Sequence, residues 1–484
     1  MMIKVEKRIL ILKPKHFRRL FILLFILALV KNQASAQNDT LLSPKMFFEA
    51  VALFHPLVRQ ANLFNEAAEN ELIMTRGQFD PKLGATFNQK SFDGKQYYNI
   101  FNPELKIATW PGIDIKAGLE RNVGTNLSSE EETPQTGLQY LGVGLPLGQG
   151  LFTDVRRTTL KQAKIGLQMA QAERNKQINK VVYSSAKDYW EWYFNKEQLN
   201  NAKEAYRFAF ERYTAVNQRI MVGDLAPIDS VEAHIFLQDR ELFLNQSLFD
   251  ELNSRLILST YLWSADAQPL DLGGSVKPEI PLAYMELISD STTARLMVLA
   301  KTQHPEIQKY QLKLNQLDLD RRLGKEMLKP SFNINYTWLS RTDKSVWATN
   351  TIDRNYKFGF DFGFPVLLRK ERGKLGLVQT KILQTQLEQS QTIRNIEIDL
   401  TASINHLKNL ENLIGLQTSM VNNYLKLRNA EIKKFENGES SLFLINSRES
   451  KLIESKIKLA SLISKFQKEK AGVYYAAGRN PLLP

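Results

Sequence analysis

No cysteine occurs anywhere in the 484 residues. Disulfides, thiolate metal sites, thiol nucleophiles and a cysteine-linked lipid anchor are therefore excluded. The chain must hold together by packing or by assembly. Histidine is scarce, at five residues, and none has a partner at metal-ligand spacing. There is no G-x-S-x-G, H-E-x-x-H or P-loop, and no G-x-G-x-x-G opens a βαβ unit. The glycine-rich "GLPLGQG" (Gly144–Gly150) lacks the Lys-Ser/Thr pair that would cradle a phosphate. These absences argue against an enzyme, and no catalytic, cofactor-binding or metal site is expected.

Long apolar runs are missing too. The longest, "LFILLFILALV" (Leu20–Val30), has 11 residues, where a helical membrane span needs about 20. It follows a basic lead and precedes "ASAQ", with Ala34 and Ala36 in an A-x-A arrangement. Residues 1–36 read as a secretory signal peptide cleaved between Ala36 and Gln37. That segment holds eight basic residues and one acidic residue, so about +6 of the formal +13 remains on the mature chain. The remainder is spread through mixed-sign stretches without a basic run, and nucleic acid is not an expected partner. An exported chain without a spanning helix is periplasmic, secreted, or part of an outer-membrane barrel.

What is present comes twice. "HPLVRQANLFNEAAENELIMTRGQFDP" (His55–Pro81) and "HPEIQKYQLKLNQLDLDRRLGKEMLKP" (His304–Pro330) share length, opening His-Pro and closing proline. Each follows a short helix and reads as helical between its ends. His55 and His304 mark a helix bend in this pattern rather than a ligand set. Strand-like segments then follow, rich in aromatic and β-branched residues: 82–92, 105–110, 112–120 and 138–147, and in the second half 331–341 and 355–366. Trp110, Trp338 and Trp347 lie in or beside these segments and read either as core residues or, in better accord with the export signal and the strand pattern, as barrel-girdle aromatics.

Long helices come next. No proline interrupts the chain between Pro146 and Pro227, and 70 helical residues reach about 105 Å. Leu160, Ala163, Leu167 and Ala170, then Ala202, Ala205, Ala209 and Val216, keep a coiled-coil spacing with small residues. The turn Val222–Pro227 precedes a return helix whose apolar face carries Val231, Ile235, Leu242, Phe249, Leu252 and Leu256. The second half repeats the hairpin around Glu436–Leu442. Repeat one therefore spans 37–262, with strands over about 82–147 and a helical hairpin over 153–262. A linker covers 263–290. Repeat two spans 291–484, with strands over about 331–366 and a hairpin over 370–475. Repeat one carries about 30 extra residues among its strands.

The order of elements resembles the outer-membrane efflux protein family, the TolC-like channels, over nearly all of the mature chain. The "FDP" strand entry, the "GLPLGQG" exit and the "VGD" and "NGE" hairpin tips carry the resemblance. It implies a mainly α fold with a β-barrel contribution. The assembly would be a homotrimer, whose three chains give four strands each to a 12-strand barrel in outer-membrane lipid above a periplasmic α-helical tunnel. Four or so strands cannot close a barrel alone, which independently calls for assembly. The implied function is the passive exit duct of a tripartite efflux pump or type I secretion system. Its expected partners are a periplasmic adaptor (membrane fusion) protein and an inner-membrane transporter. By the same resemblance, Gly223, Asp224, Leu225 and Pro227, with Gly438, Glu439, Ser440, Ser441 and Leu442, line the periplasmic entrance and meet the adaptor. Asp224 and Glu439, each present three times in a trimer, would form acidic rings or simply cap solvated turns. The competing reading is a periplasmic coiled-coil adaptor or scaffold whose strands form a soluble sandwich. A solute porin would need strands through most of the chain.

Overall fold

The computed structural model describes residues 40–279, 288–342 and 355–480. The expected signal peptide, its Ala36–Gln37 cleavage point and Trp347 lie outside them. The elements in order are β1 (Thr40–Leu42), α1 (Pro44–Phe54), α2 (Pro56–Arg76), β2 (Lys82–Phe92), β3 (Lys95–Ala108), β4 (Asp114–Val123) and β5 (Leu138–Pro146). The first long hairpin is α3 (Val155–Met221) and α4 (Pro227–Ser259), followed by β6 (Val276–Pro278). The second half runs α5 (Asp290–Gln303), α6 (Pro305–Glu326), β7 (Ser331–Arg341), β8 (Tyr356–Gly363), α7 (Arg369–Glu436) and α8 (Leu442–Ala476). The two longest helices have 67 and 68 residues, so the helical hairpins are duplicated almost without change. No described helix is long and apolar enough to cross a membrane.

The chain forms two compact units. One unit takes Asn62–Arg174 and Pro305–Arg394 and contains a single antiparallel sheet in the order β2-β3-β4-β5-β7-β8. The six strands fall on the six expected segments, and the main difference is that β3 begins ten residues earlier than the expected 105–110. The missed strand segment is the first half of β3. Asn99, Asn102 and Pro103 make it read as loop, and Pro103 supplies no N–H. The sheet accommodates this locally. The β3–β4 pairing skips Asn102 and Pro103, and the Asn102 side chain accepts the Arg121 N–H at 3.0 Å instead. Asp93 and Gly94, both at positive φ, make the two-residue turn between β2 and β3.

Register sorts the side chains by face. One cross-strand row runs Leu83, Leu105, Ala117, Leu141, Trp338 and Tyr356, and the next runs Ile107, Ile115, Val143, Tyr336 and Phe358. The opposite face carries the row Lys82, Lys106, Lys116, Gly142, Thr337 and Lys357. Adjacent like charges repel across strands, and acids relieve this row. Asp114 lies 3.9 Å from the Lys106 Nζ, and Glu120 accepts from the Lys357 Nζ at 2.6 Å. Among the described residues no second sheet covers either face, and Phe87, Phe358, Phe360 and Phe362 are all exposed.

The other unit takes the residues up to Ala61, Asn175–His304 and those from Asn395 onward. Its core is aromatic. Phe47, Phe48 and Val51 of α1 pack with Tyr189, Trp190, Trp192 and Tyr193 of α3, with Leu258, and with Leu272 and Val276 beyond it. The Tyr189 hydroxyl donates to the Leu42 carbonyl at 2.6 Å, and β1 pairs in parallel with β6. The segment expected to be a plain linker is thus partly structural. Arg59 donates to the Ala265 carbonyl at 2.5 Å and Arg255 to the Leu272 carbonyl at 3.0 Å.

Each His-Pro pair sits at a junction between two helices. His55 and His304 are the C-caps of α1 and α5, and each following proline opens the next helix. The His55 Nδ1 accepts the Leu57 N–H at 3.2 Å. Burial pushes His55 below the ordinary histidine value of 6.5. The native state therefore favours neutral His55, and its contribution, present above about pH 6.5, is lost as pH falls through the lowered folded-state value. Thermal unfolding should show a midpoint that drops on acidification in this range, and His55→Asn should flatten that dependence.

Candidate functional site

The two hairpin turns close by the same mechanism. After α3 the Gly223 N–H donates to the Ile220 carbonyl (3.0 Å) and the Asp224 N–H to the Arg219 carbonyl (2.9 Å). After α7 the Gly438 N–H donates to Phe435 (3.0 Å) and the Glu439 N–H to Lys434 (2.8 Å). Both are Schellman closures, in which the residue after the cap must be left-handed. Gly223 has φ 79° and Gly438 has φ 78°. The return helices start differently. Pro227 opens α4, with the Asp229 carboxylate accepting the Ala226 N–H at 3.2 Å. Ser441 caps α8 and accepts the Leu444 N–H at 3.4 Å.

The structure brings the two turns together. Leu442 is buried in one cluster with Val216 and Ala233, and Tyr213, Ile220, Leu225 and Phe435 pack against it. The Arg219 guanidinium lies 5.5 Å from the Phe435 ring centroid while its Nε meets the Asp224 carboxylate at 2.6 Å. Of the candidate residues, Gly223, Asp224, Pro227, Gly438, Glu439 and Ser441 are exposed, Leu225 and Ser440 are half-buried, and Leu442 is core. The Ser440 hydroxyl donates to Glu431 at 2.7 Å. That bond, with Arg448 beside it, holds the Glu431 carboxyl below the usual carboxylate range.

Sequence reasoning missed the charged lock further along the same helices. Arg212 of α3 donates to Asn446 at 2.6 Å and pairs with the nearly buried Glu449 of α8 at 2.5 Å. Arg428 of α7 stands 3.7 Å from the other Glu449 oxygen and stacks on Phe208 at 4.7 Å. Within one helix these residues look like ordinary solvated charges, because their partners come from other helices. Among the described residues no group of three His, Asp or Glu gathers in a metal-holding arrangement.

No family model and no curated protein matches the sequence. Solved structures do match in fold. The chain aligns with the Neisseria gonorrhoeae MtrE outer membrane channel in its open state over 93% of its own length and 94% of that chain, at TM-score 0.65 and 13% identity. The Campylobacter jejuni CmeC outer membrane channel matches over 90% and 85%, at TM-score 0.62 and 14% identity. The Vibrio cholerae outer membrane protein VceC matches over 90% and 96%, at 0.62 and 12%. The chain has the outer-membrane channel fold. In that fold's terms, the paired turns are the tips of the two helical hairpins.

Substitutions at the turns and at the charged lock test this arrangement. A Cβ on Gly223 or Gly438 would meet nothing within 4 Å, so Gly→Ala costs only the left-handed backbone, about 1 kcal/mol at each site. Hydrogen exchange at the Asp224 and Glu439 amides should speed up about fivefold, with Gly→Asn milder. Glu449→Gln leaves two half-buried guanidinium groups facing a buried neutral amide. It should destabilise this helical unit by about 3 kcal/mol, read as a lowered unfolding midpoint.

Proposed function

We propose that this chain is the outer-membrane exit duct of a tripartite efflux pump or type I secretion system. Three copies would assemble so that their sheets close a barrel in lipid and their helical hairpins reach through the periplasm. The observation that carries this reading is the single-layer sheet. One of its faces is apolar strand after strand, the other is charged, and among the described residues no second sheet covers either. A soluble adaptor or scaffold would bury the apolar face against a second sheet, and that alternative is not favoured. The apolar face of α4 points the same way. Val231, Ile235, Leu242, Phe249, Leu252 and Leu256 are each more than 40% exposed, and heptad-type spacing suits them to helices of another copy.

In this reading the tips form the periplasmic entrance and meet an adaptor, while an inner-membrane transporter supplies the energy. Asp224 is offset by Arg219 in its own turn. Glu439 has no ion pair among the described residues and is exposed, so it is the carboxylate that would set an acidic ring at the entrance and favour cations. Glu439→Lys should then shift cation-over-anion selectivity in planar bilayers several-fold, whereas Asp224→Asn should change it little.

The full-length protein expressed in a Gram-negative host should partition with the outer membrane and run as a heat-modifiable trimer after detergent extraction. A monomer in the soluble periplasmic fraction would overturn the proposal. In intact cells, Asp224→Cys and Glu439→Cys should resist a bulky membrane-impermeant thiol reagent and react once the outer membrane is permeabilised. Labelling from outside would reverse the topology.

A further inference from the structure

The strand count in the wall follows from the sheet edges. We propose that all six strands of each chain enter the barrel, so that three copies of this six-stranded sheet close eighteen strands, with β8 of one copy pairing β2 of the next. This rests on the trimeric duct proposed above and goes beyond it, because that duct could also be built from four strands per chain.

Three observations carry the inference. First, the added hairpin is registered on both sides. β3 pairs with β2 from Lys82↔Lys106 to Phe92↔Lys95, and β4 pairs with β5 from Asp114↔Gly144 to Glu120↔Leu138. Reducing the wall to four strands would tear one of these ladders or the β3–β4 ladder between them, leaving N–H and C=O groups bare in hydrocarbon, which lipid does not tolerate. Second, polarity matches. Every neighbouring pair is antiparallel, so in a six-stranded sheet the two end strands run in opposite directions and can pair antiparallel between copies. Among the described residues nothing pairs the outer edge of either strand. Third, the faces match. Through the register, Leu83 and Phe87 of β2 share a face with Phe358 and Phe360 of β8, and Lys82 shares the opposite face with Lys357. Joining β8 to β2 continues the apolar face outside and the polar face inside. Barrel diameter grows roughly in proportion to strand number, so the lumen would be about one and a half times as wide as that of a 12-strand barrel.

The absence of cysteine makes the test clean. Thr86→Cys on β2 is combined in turn with Lys357→Cys, Gly359→Cys and Asp361→Cys on β8, all on the polar face. Lys116→Cys on β4 is combined with the same three, and all six variants are oxidised in outer membranes. At least one Thr86 combination should give reducible dimers and trimers of the chain, and the Lys116 combinations should give none. Strand counting by electron microscopy of the detergent-purified trimer should show eighteen. A trimer with twelve strands, or one linked through Lys116→Cys and not through Thr86→Cys, overturns this inference and leaves the duct intact. A soluble monomer overturns both.

Discussion

A sheet that ends in two bare strands leaves a row of N–H and C=O groups without partners along each side. In water such an edge invites aggregation, and in hydrocarbon each unmet group costs several kcal/mol. Here β2 and β8 are those ends, and among the described residues nothing pairs their outer edges. The sheet has one apolar and one polar face and no covering layer among the described residues, so its apolar side chains are as unmet as its edges. Neither problem can be solved within one copy, because six strands are too few to close on themselves. Lacking cysteine, the chain has no covalent alternative. The proposed assembly would satisfy edges, apolar face and the exposed stripe of α4 together.

The helical unit meets a different constraint. Its core is built from large aromatics clamped by a few directed bonds. Trp192 Nε1 lies 3.4 Å from Glu251, and the Ser464 hydroxyl donates to the Trp190 carbonyl at 2.6 Å. Toward the tips the core thins to small and aliphatic residues, Ala205, Ala209, Val216 and Leu442. Specificity there passes to charge, through Glu449 held between Arg212 and Arg428. An ion triad around a buried carboxylate adds little net stability compared with apolar packing, but it penalises every arrangement that separates its members. It therefore fixes how α3, α7 and α8 meet at the end of the unit that carries the turns.

The duplication, the long hairpins and the His-Pro junctions were legible because each rests on local rules: proline at helix starts, glycine after helix ends, periodic apolar residues. Strands β2 and β7 matched their expected limits for the same reason, having clean alternation between turn residues. The first half of β3 was not legible, since Asn99, Asn102 and Pro103 look like loop until β2 and β4 are in place. A signal was nevertheless present: Phe92-Asp93-Gly94-Lys95 is a two-residue hairpin sequence, and it implies a strand on each side. The convergence of the two tips followed no local rule. Leu442 reads as the start of a helix in an exposed turn, yet it is core because Val216 and Ala233 from the other repeat cover it. The Arg212–Glu449 pair spans 237 residues and leaves no trace in the spacing of either helix.

The repeats differ where difference is physically tolerable. One residue inserted into a packed helix rotates everything beyond it by about 100°, turning buried positions out and exposed ones in. The long helices keep nearly equal lengths, 67 and 68 residues, a difference no larger than the fraying of a helix end, and the same closures at Gly223 and Gly438. In the sheet the tolerated unit is larger. A single added strand would reverse the direction of all that follow and point the next helix the wrong way. A hairpin adds two strands, restores the direction, and leaves β5 to enter α3 just as β8 enters α7. The extra residues of repeat one take that form, β3 followed by β4, registered on β2 and β5. An insertion that preserves polarity, facing and edge direction can be absorbed by a wall that closes only on assembly, provided every copy carries it.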